Sequence, residues 1–305
     1  MSIKTSIATH NGNFHCDDIV AYLILSESIG PVRLTRTRNP KEIEEATVVF
    51  DVGGTYNDDR YRCDHHFDDD RLIRESGIKY SSAGLIWKHY GTMFLEEKYS
   101  HCGFSEEEID RLWKAIDERI FEWIDRIDNG QLEEGRLPKN CITINGMINS
   151  FVPTWDTEES FDEAFHKAAE WTSIWLSNEI KKIVGQIKAE SLVMDDFENR
   201  PFDRVLVMDE FKPWQKAIFE NGIAYQLDYV AFYDKNNDEW RIQCVPPEDG
   251  SFEKKRPLPK EWAGLRDKEL SNLLGIEMIF CHPGRFIAGF KSKDDLPVLV
   301  DWIYS

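Results

Sequence analysis

Apolar and polar positions along the chain switch between a two-residue and a helical period, and the switches outline the elements. Ile3 to Thr9 reads as a short strand. From Asp17 to Ser28, the positions Ile19, Val20, Leu23 and Ile24 recur at helical spacing. Val32 to Thr37 alternates like a second strand. Ala46 to Phe50 is a continuous β-prone run that stops at Asp51, where Gly53-Gly54 breaks it. This β-α-β-α-β order predicts a parallel sheet with helices on its faces, in which ligands bind beyond the carboxyl ends of the strands.

Helical patterns follow. Ser81-Ser82 caps a helix through about His89, and Ser105-x-x-Glu108 is a capping-box pattern opening a helix to about Ile127. Asn129-Gly130 supplies its stop. Another helix runs from about Glu158 to Val193, with an aromatic stripe that reads as core (Phe161, Phe165, Trp171, Trp175) rather than as a platform for bases. After Asn199-Arg200-Pro201 the texture turns to strands, at Val205–Met208, Tyr229–Tyr233 and Trp240–Val245, then to a basic loop, Lys254-Lys255-Arg256-Pro257. A domain boundary is expected at 195–202, giving domains 1–197 and 202–305.

Composition narrows the classes. The 305 residues are 41% hydrophobic, enough for packed cores, and no apolar run is long enough to cross a bilayer. The first residues lack a signal-peptide apolar region, so a cytoplasmic setting is expected. Cys16, Cys63, Cys102, Cys141, Cys244 and Cys281 are scattered without a C-x-x-C pair and read as reduced thiols. The net charge of −19 argues against a broad duplex-binding surface, though divalent cations offset acidity locally.

Four short stretches carry candidate chemistry. His10, His15 and Asp17 fall within eight residues on a Gly-containing turn between strand and helix, a donor set suited to Mn²⁺, Fe²⁺ or Zn²⁺. Asp18 is assigned to capping the helix. Asp51 ends a buried strand, a place also open to an ordinary turn Asp. Asp64-His65-His66 is an uncommon triplet in a chain with eight His, although flanking acidic runs at Asp58-Asp59 and Asp68–Asp70 read as solvated loop. Asp125 and Asp128 end a helix, where negative charge opposes the dipole unless a cation compensates. Together, three His and three Asp suffice for two divalent cations with one shared carboxylate. That arrangement suits phosphate-ester or phosphoanhydride hydrolysis.

These residues resemble the DHH phosphoesterase superfamily. More closely, His10-Asn11-Gly12-x-Phe14-His15-x-Asp17, Asp51-Val52-Gly53-Gly54, Asp64-His65-His66-Phe67, Ser81-Ser82-Ala83-Gly84-Leu85 and Asp125-x-x-Asp128-Asn129-Gly130 resemble the MYG (melanocyte proliferating gene) family, from near residue 3 to the C-terminus. The resemblance implies an α/β fold: an N-terminal DHH-type parallel sheet flanked by helices, and a smaller C-terminal α/β domain closing the cleft. It implies one metal on His10, His15 and Asp51, and a second on Asp17, Asp51, His65 and Asp128, with Asp51 bridging. His66 would face substrate phosphate, and Asp64 would orient a histidine. His15 stands where the superfamily places a carboxylate. Mn²⁺ is the first choice by analogy, with Mg²⁺, Fe²⁺ and Zn²⁺ open. The element Cys281-His282-Pro283-Gly284-Arg285 resembles a glycine-rich substrate-binding motif, in which Arg285 would pair with phosphate and His282 assist; it also fits a plain β-turn.

The expected function is therefore hydrolysis of phosphodiester bonds, as a 3′–5′ exonuclease on RNA or short oligonucleotides. The competing readings are a phosphatase for small nucleotides or pyrophosphate, and a non-catalytic metal-binding regulator. No membrane partner is implied, and the oligomeric state stays open.

Overall fold

A computed structural model describes residues 5–57, 61–132 and 142–305. Cys141 and the Asp58-Asp59 run lie outside the described residues. The first elements are β1 (Thr5–Thr9), α1 (Cys16–Ser28), β2 (Val32–Arg36), α2 (Pro40–Glu45), β3 (Val48–Phe50), β4 (Tyr56–Asn57) and β5 (Arg62–Cys63). They form a sheet of order β2-β1-β3-β5-β4, parallel except for the β4–β5 pair. β4 and β5 have two residues each, too few for any periodicity to register. Their consequence is large. Asp64-His65-His66 follows β5 directly, as His10 follows β1 and Asp51 follows β3. Three of the four candidate stretches thus leave the carboxyl ends of neighbouring parallel strands, where such sheets bind ligands.

Next come α3 (Ser82–Tyr99), α4 (Glu106–Ile116), a π-helical turn at Asp117–Phe121, α5 (Glu122–Asp128), α6 (Ile144–Asn149) and α7 (Phe161–Glu198). Helix α3 continues ten residues past the expected His89, because Tyr90, Gly91, Phe94 and Leu95 bury a further face. The Ser105 capping box forms as the pattern predicts, with Ser105 N–H donating to Glu108 Oε2 at 2.8 Å. The π turn is a departure from the single regular helix expected there. Two α-turns take about 7.2 residues, and one inserted residue brings the repeat near eight. Asp117 and Asp125, eight apart, then share a face, and buried Arg74 clamps both: Nη2 to Asp117 Oδ1 at 2.9 Å and Nε to Asp125 Oδ2 at 2.6 Å. Arg74→Ala leaves two buried carboxylates without their cation. Unfolding in urea is expected to show a loss of about 3–5 kcal/mol; a loss below about 1 kcal/mol would contradict this role.

Helix α7 buries Phe165, Ala168, Ala169, Leu176, Ile180 and Ile183. Its Trp171 and Trp175 are half-buried, while Ile174 is exposed despite its periodic position. The chain divides into two compact units inside this helix, at Ile183/Val184. Its last turns belong to the second unit, with Val193 and Phe197 packing beside Leu206, Trp214 and Val230. The change of sequence texture at 195–202 thus coincides with the end of the helix.

The second unit contains β6 (Val205–Met208), α8 (Trp214–Glu220), β7 (Tyr229–Asp234), β8 (Glu239–Cys244), α9 (Asp267–Leu274), β9 (Met278–Cys281), β10 (Ile287–Phe290) and α10 (Leu296–Tyr304). Its sheet order is β6-β7-β8-β10-β9, with only β6–β7 parallel. Alternation sends Val205, Val207, Tyr229 and Ala231 to one apolar layer and Leu206, Met208, Val230 and Phe232 to the other. No described helix is long and apolar enough to cross a membrane.

Candidate metal centre

The loop after β1 is held from both sides. Phe14 is fully buried and meets Phe165 edge-on at 5.7 Å. Arg36, at the end of β2, donates from Nη2 to the Gly12 carbonyl at 2.7 Å and from Nη1 to Asp162 at 2.8 Å. His10 is thereby buried at the strand end, and His15 stands exposed at the start of α1. Asp17 and Asp18 occupy the first turn of that helix, both buried.

Asp51 sits at the centre. Its φ of 56° is left-handed, a conformation costing a non-glycine residue about 1–3 kcal/mol and concentrated at functional sites. There its carboxylate faces two ways. Oδ2 lies 3.0 Å from His10 Nε2, and Oδ1 lies 3.2 Å from His65 Nε2. Ser82, in the first turn of α3, donates to Oδ1 at 3.2 Å. Burial works against ionisation of Asp51, but the two imidazoles prevail and hold its carboxyl below the usual range. Burial likewise disfavours the charged form of His10, yet the Asp18 and Asp51 carboxylates raise it to about 10.

His65 gathers the remaining residues. Its Nε2 is 3.8 Å from Asp17 Oδ2 and 3.4 Å from Asp128 Oδ2. His66 is exposed, with Nδ1 2.8 Å from Asp64 Oδ1, while Gly54 N–H donates to the other Asp64 oxygen at 2.6 Å. A carboxylate that accepts on Nδ1 leaves the His66 Nε2 as the outward nitrogen. Among the described residues, ligand atoms within 4.8 Å of one another occur in three groups: His10, His15 and Asp51; Asp51, His65 and His66; and His15, Asp17 and Asp128.

Asp125 stands apart from these groups. Its Oδ1 accepts from Ser81 N–H at 2.9 Å and Ser81 Oγ at 2.6 Å, and its Oδ2 accepts from Arg74. The cation compensating this helix-end acid is thus a guanidinium 51 residues away, which spacing cannot reveal. Gly84 completes the fit, since a Cβ there would sit 2.7 Å from Asp125 Cγ. The Ser81-Ser82 pair therefore does more than cap α3: one serine holds Asp125 and the other touches Asp51.

The cluster fits divalent cations on its own evidence. Both carboxylate oxygens of Asp17, which is 1% exposed, lack any hydrogen-bond partner among the described residues. Burial, with Asp51, Asp128 and Asp18 nearby, pushes its carboxyl well above the usual range. A buried carboxylate left so is costly unless a cation meets it. Beside it lies an open cavity of about 390 Å³ lined by His15, Asp128, Asn145 and Asn149. The two asparagines were not marked by any sequence pattern.

In the second unit, Arg285 has a φ of 57° and donates from Nη1 to the Leu258 carbonyl at 3.1 Å. His282 is exposed, and its Nδ1 accepts from Gly284 N–H at 3.0 Å. These contacts build the tight turn between β9 and β10.

An α/β unit with imidazoles and carboxylates gathered at adjoining strand ends defines a candidate metal-binding protein. Residues 6–300 match the model of the MYG1 exonuclease family, described as an uncharacterised protein family (UPF0160), and the chain belongs to this family. It is 30% identical over 307 residues to a MYG1 protein of Schizosaccharomyces pombe, covering 95% of this chain and 94% of that protein. It is 31% identical over 321 residues to the MYG1 exonuclease of Homo sapiens, covering 94% and 82%. A solved pGpG-specific phosphodiesterase, PggH from Vibrio, aligns with 98% of this chain and 97% of its own at 13% identity, with a TM-score of 0.33.

Proposed function

We propose that this chain is a two-metal phosphodiesterase that shortens RNA from its 3′ end, with Mn²⁺ as its working metal. The observation that carries the reading is the two-faced carboxylate of Asp51, one oxygen toward His10 and the other toward His65. The exonuclease name of the human relative supports a hydrolase of phosphodiester bonds. His10, His15 and Asp51 would hold one cation, and Asp17, Asp51, His65 and Asp128 the other. Bound there, such a pair supplies an activated water and charge neutralisation at the scissile phosphate.

The chain's own groups supply the rest. Asp64 fixes the His66 ring through Nδ1, leaving Nε2 to contact a phosphate oxygen or exchange a proton with it. Asn145 and Asn149 line the adjacent cavity and offer neutral amides to a terminal nucleotide. A cavity of about 390 Å³ suits a single small unit rather than a duplex, in keeping with removal of terminal residues. Arg285 and His282 are assigned to substrate phosphate.

Purified protein with Mn²⁺ and 5′-labelled RNA tests this. A ladder of progressively shorter labelled products is expected, abolished by EDTA. Immediate release of labelled mononucleotide would reverse the polarity. Orthophosphate from pyrophosphate without RNA shortening would replace the nuclease with a small-substrate hydrolase.

A further inference from the structure

We propose that the second unit carries a pocket for one unstacked base of a single-stranded RNA. A cavity of about 680 Å³ is lined by Gln215 of α8, Gln243 of β8, and Phe252, Lys254 and Phe286. That volume lies within the range of small-ligand sites and exceeds what a single side chain would fill. Phe286 is half-buried and forms an aromatic wall, while Phe252 is 99% exposed. A base stacked on either ring would cover apolar surface that now faces solvent, and such stacking is indifferent to base identity. The amides of Gln215 and Gln243 are half-buried, yet neither makes a side-chain hydrogen bond among the described residues. Each offers a donor beside an acceptor, the pairing that the edge of an unpaired base presents.

The basic loop supplies the charge, and its three cations have different surroundings. Lys255 Nζ donates to the Tyr225 and Leu227 carbonyls at 2.7 and 2.9 Å. The Arg256 guanidinium lies 4.4 Å from the centre of the Tyr304 ring. Lys254 lines the cavity, half-buried and without a hydrogen bond or ion pair among the described residues. An ammonium so placed suits a backbone phosphate. Glu253 adds one carboxylate to the lining, so the cavity is formally neutral in a chain of net charge −19. A polypeptide strand would also match the amides. Aromatic rings beside an unpaired ammonium are instead the combination by which single strands are held. Phe286 follows Arg285, the residue assigned to substrate phosphate, and its ring centre is 4.4 Å from that of His282. The inference rests on the RNA reading and gives one of its bases a place beside that turn.

Photo-crosslinking of the full-length protein in Mn²⁺ tests it, with a single-stranded RNA of about twelve nucleotides carrying 5-iodouridine and cleavage-resistant phosphorothioate linkages. Mass spectrometry is expected to find the base attached to Phe286 or Phe252. Attachment only at other residues, or no binding of the RNA, would overturn the pocket. Fluorescence anisotropy with the same RNA gives the energetic counterpart. Phe286→Ala is expected to weaken binding by about ten- to a hundredfold, and Lys254→Gln to make the affinity less dependent on salt. Affinity within threefold of wild type in a folded Phe286→Ala would overturn the assignment. Should that variant fold poorly, the wild-type crosslink decides. A wild type that crosslinks here but shortens no unmodified RNA would remove the nuclease reading and keep the pocket. One that shortens RNA but crosslinks elsewhere would remove the pocket alone.

Discussion

Asp51→Asn is expected to reduce Mn²⁺-dependent hydrolysis to background, a loss of at least about a thousandfold, the scale of removing a principal electrostatic element. The substitution exchanges one oxygen for an amide on a side chain whose two oxygens face two imidazoles. An amide cannot bridge two cations as a carboxylate does. The variant should nonetheless fold, because Asn tolerates the left-handed conformation that Asp51 adopts. Far-UV circular dichroism and a single cooperative melt check the fold, and RNA cleavage checks the chemistry. Activity within tenfold of wild type would remove the bridging role.

Asp17→Asn should separate stability from function. The Asp17 carboxyl is pushed up by burial and by Asp51, Asp128 and Asp18. A carboxyl raised in the folded state above its ordinary 3.8 binds more protons folded than unfolded. Metal-free stability therefore falls as pH rises above that ordinary value. Asn carries no charge and escapes this cost. In EDTA at pH 7.5 the variant is expected to melt a few degrees above wild type, the equivalent of about 1–3 kcal/mol, and the gap should shrink toward pH 4. In Mn²⁺ the order should reverse, since the wild type gains binding energy that the variant cannot. A variant less stable than wild type in EDTA would mean that Asp17 is satisfied by something other than a cation.

The sequence made the strand-end positions of His10 and Asp51 legible because Ile3–Thr9 and Ala46–Phe50 are long enough to show a β pattern. For His65 and His66 the residue types alone gave the signal, as the two-residue β5 that places them has no pattern to read. MYG membership was legible in the spacing of the motifs, and the family match over residues 6–300 bears it out. Other features lay beyond reach because they join distant positions. Arg74 meets Asp125 across 51 residues, the π turn lies between the two acids of that clamp, and Asn145 and Asn149 reach the cavity from a short helix. Asp18 was legible as a cap, and its contact with His10 only in three dimensions.

The most direct test of a two-metal centre is activity followed during stepwise addition of Mn²⁺ to the metal-free protein, with bound metal counted at each step. Two ions per chain are expected, with cleavage that appears only as the second site fills. Full cleavage at one ion per chain, or cleavage undiminished in EDTA, would contradict it.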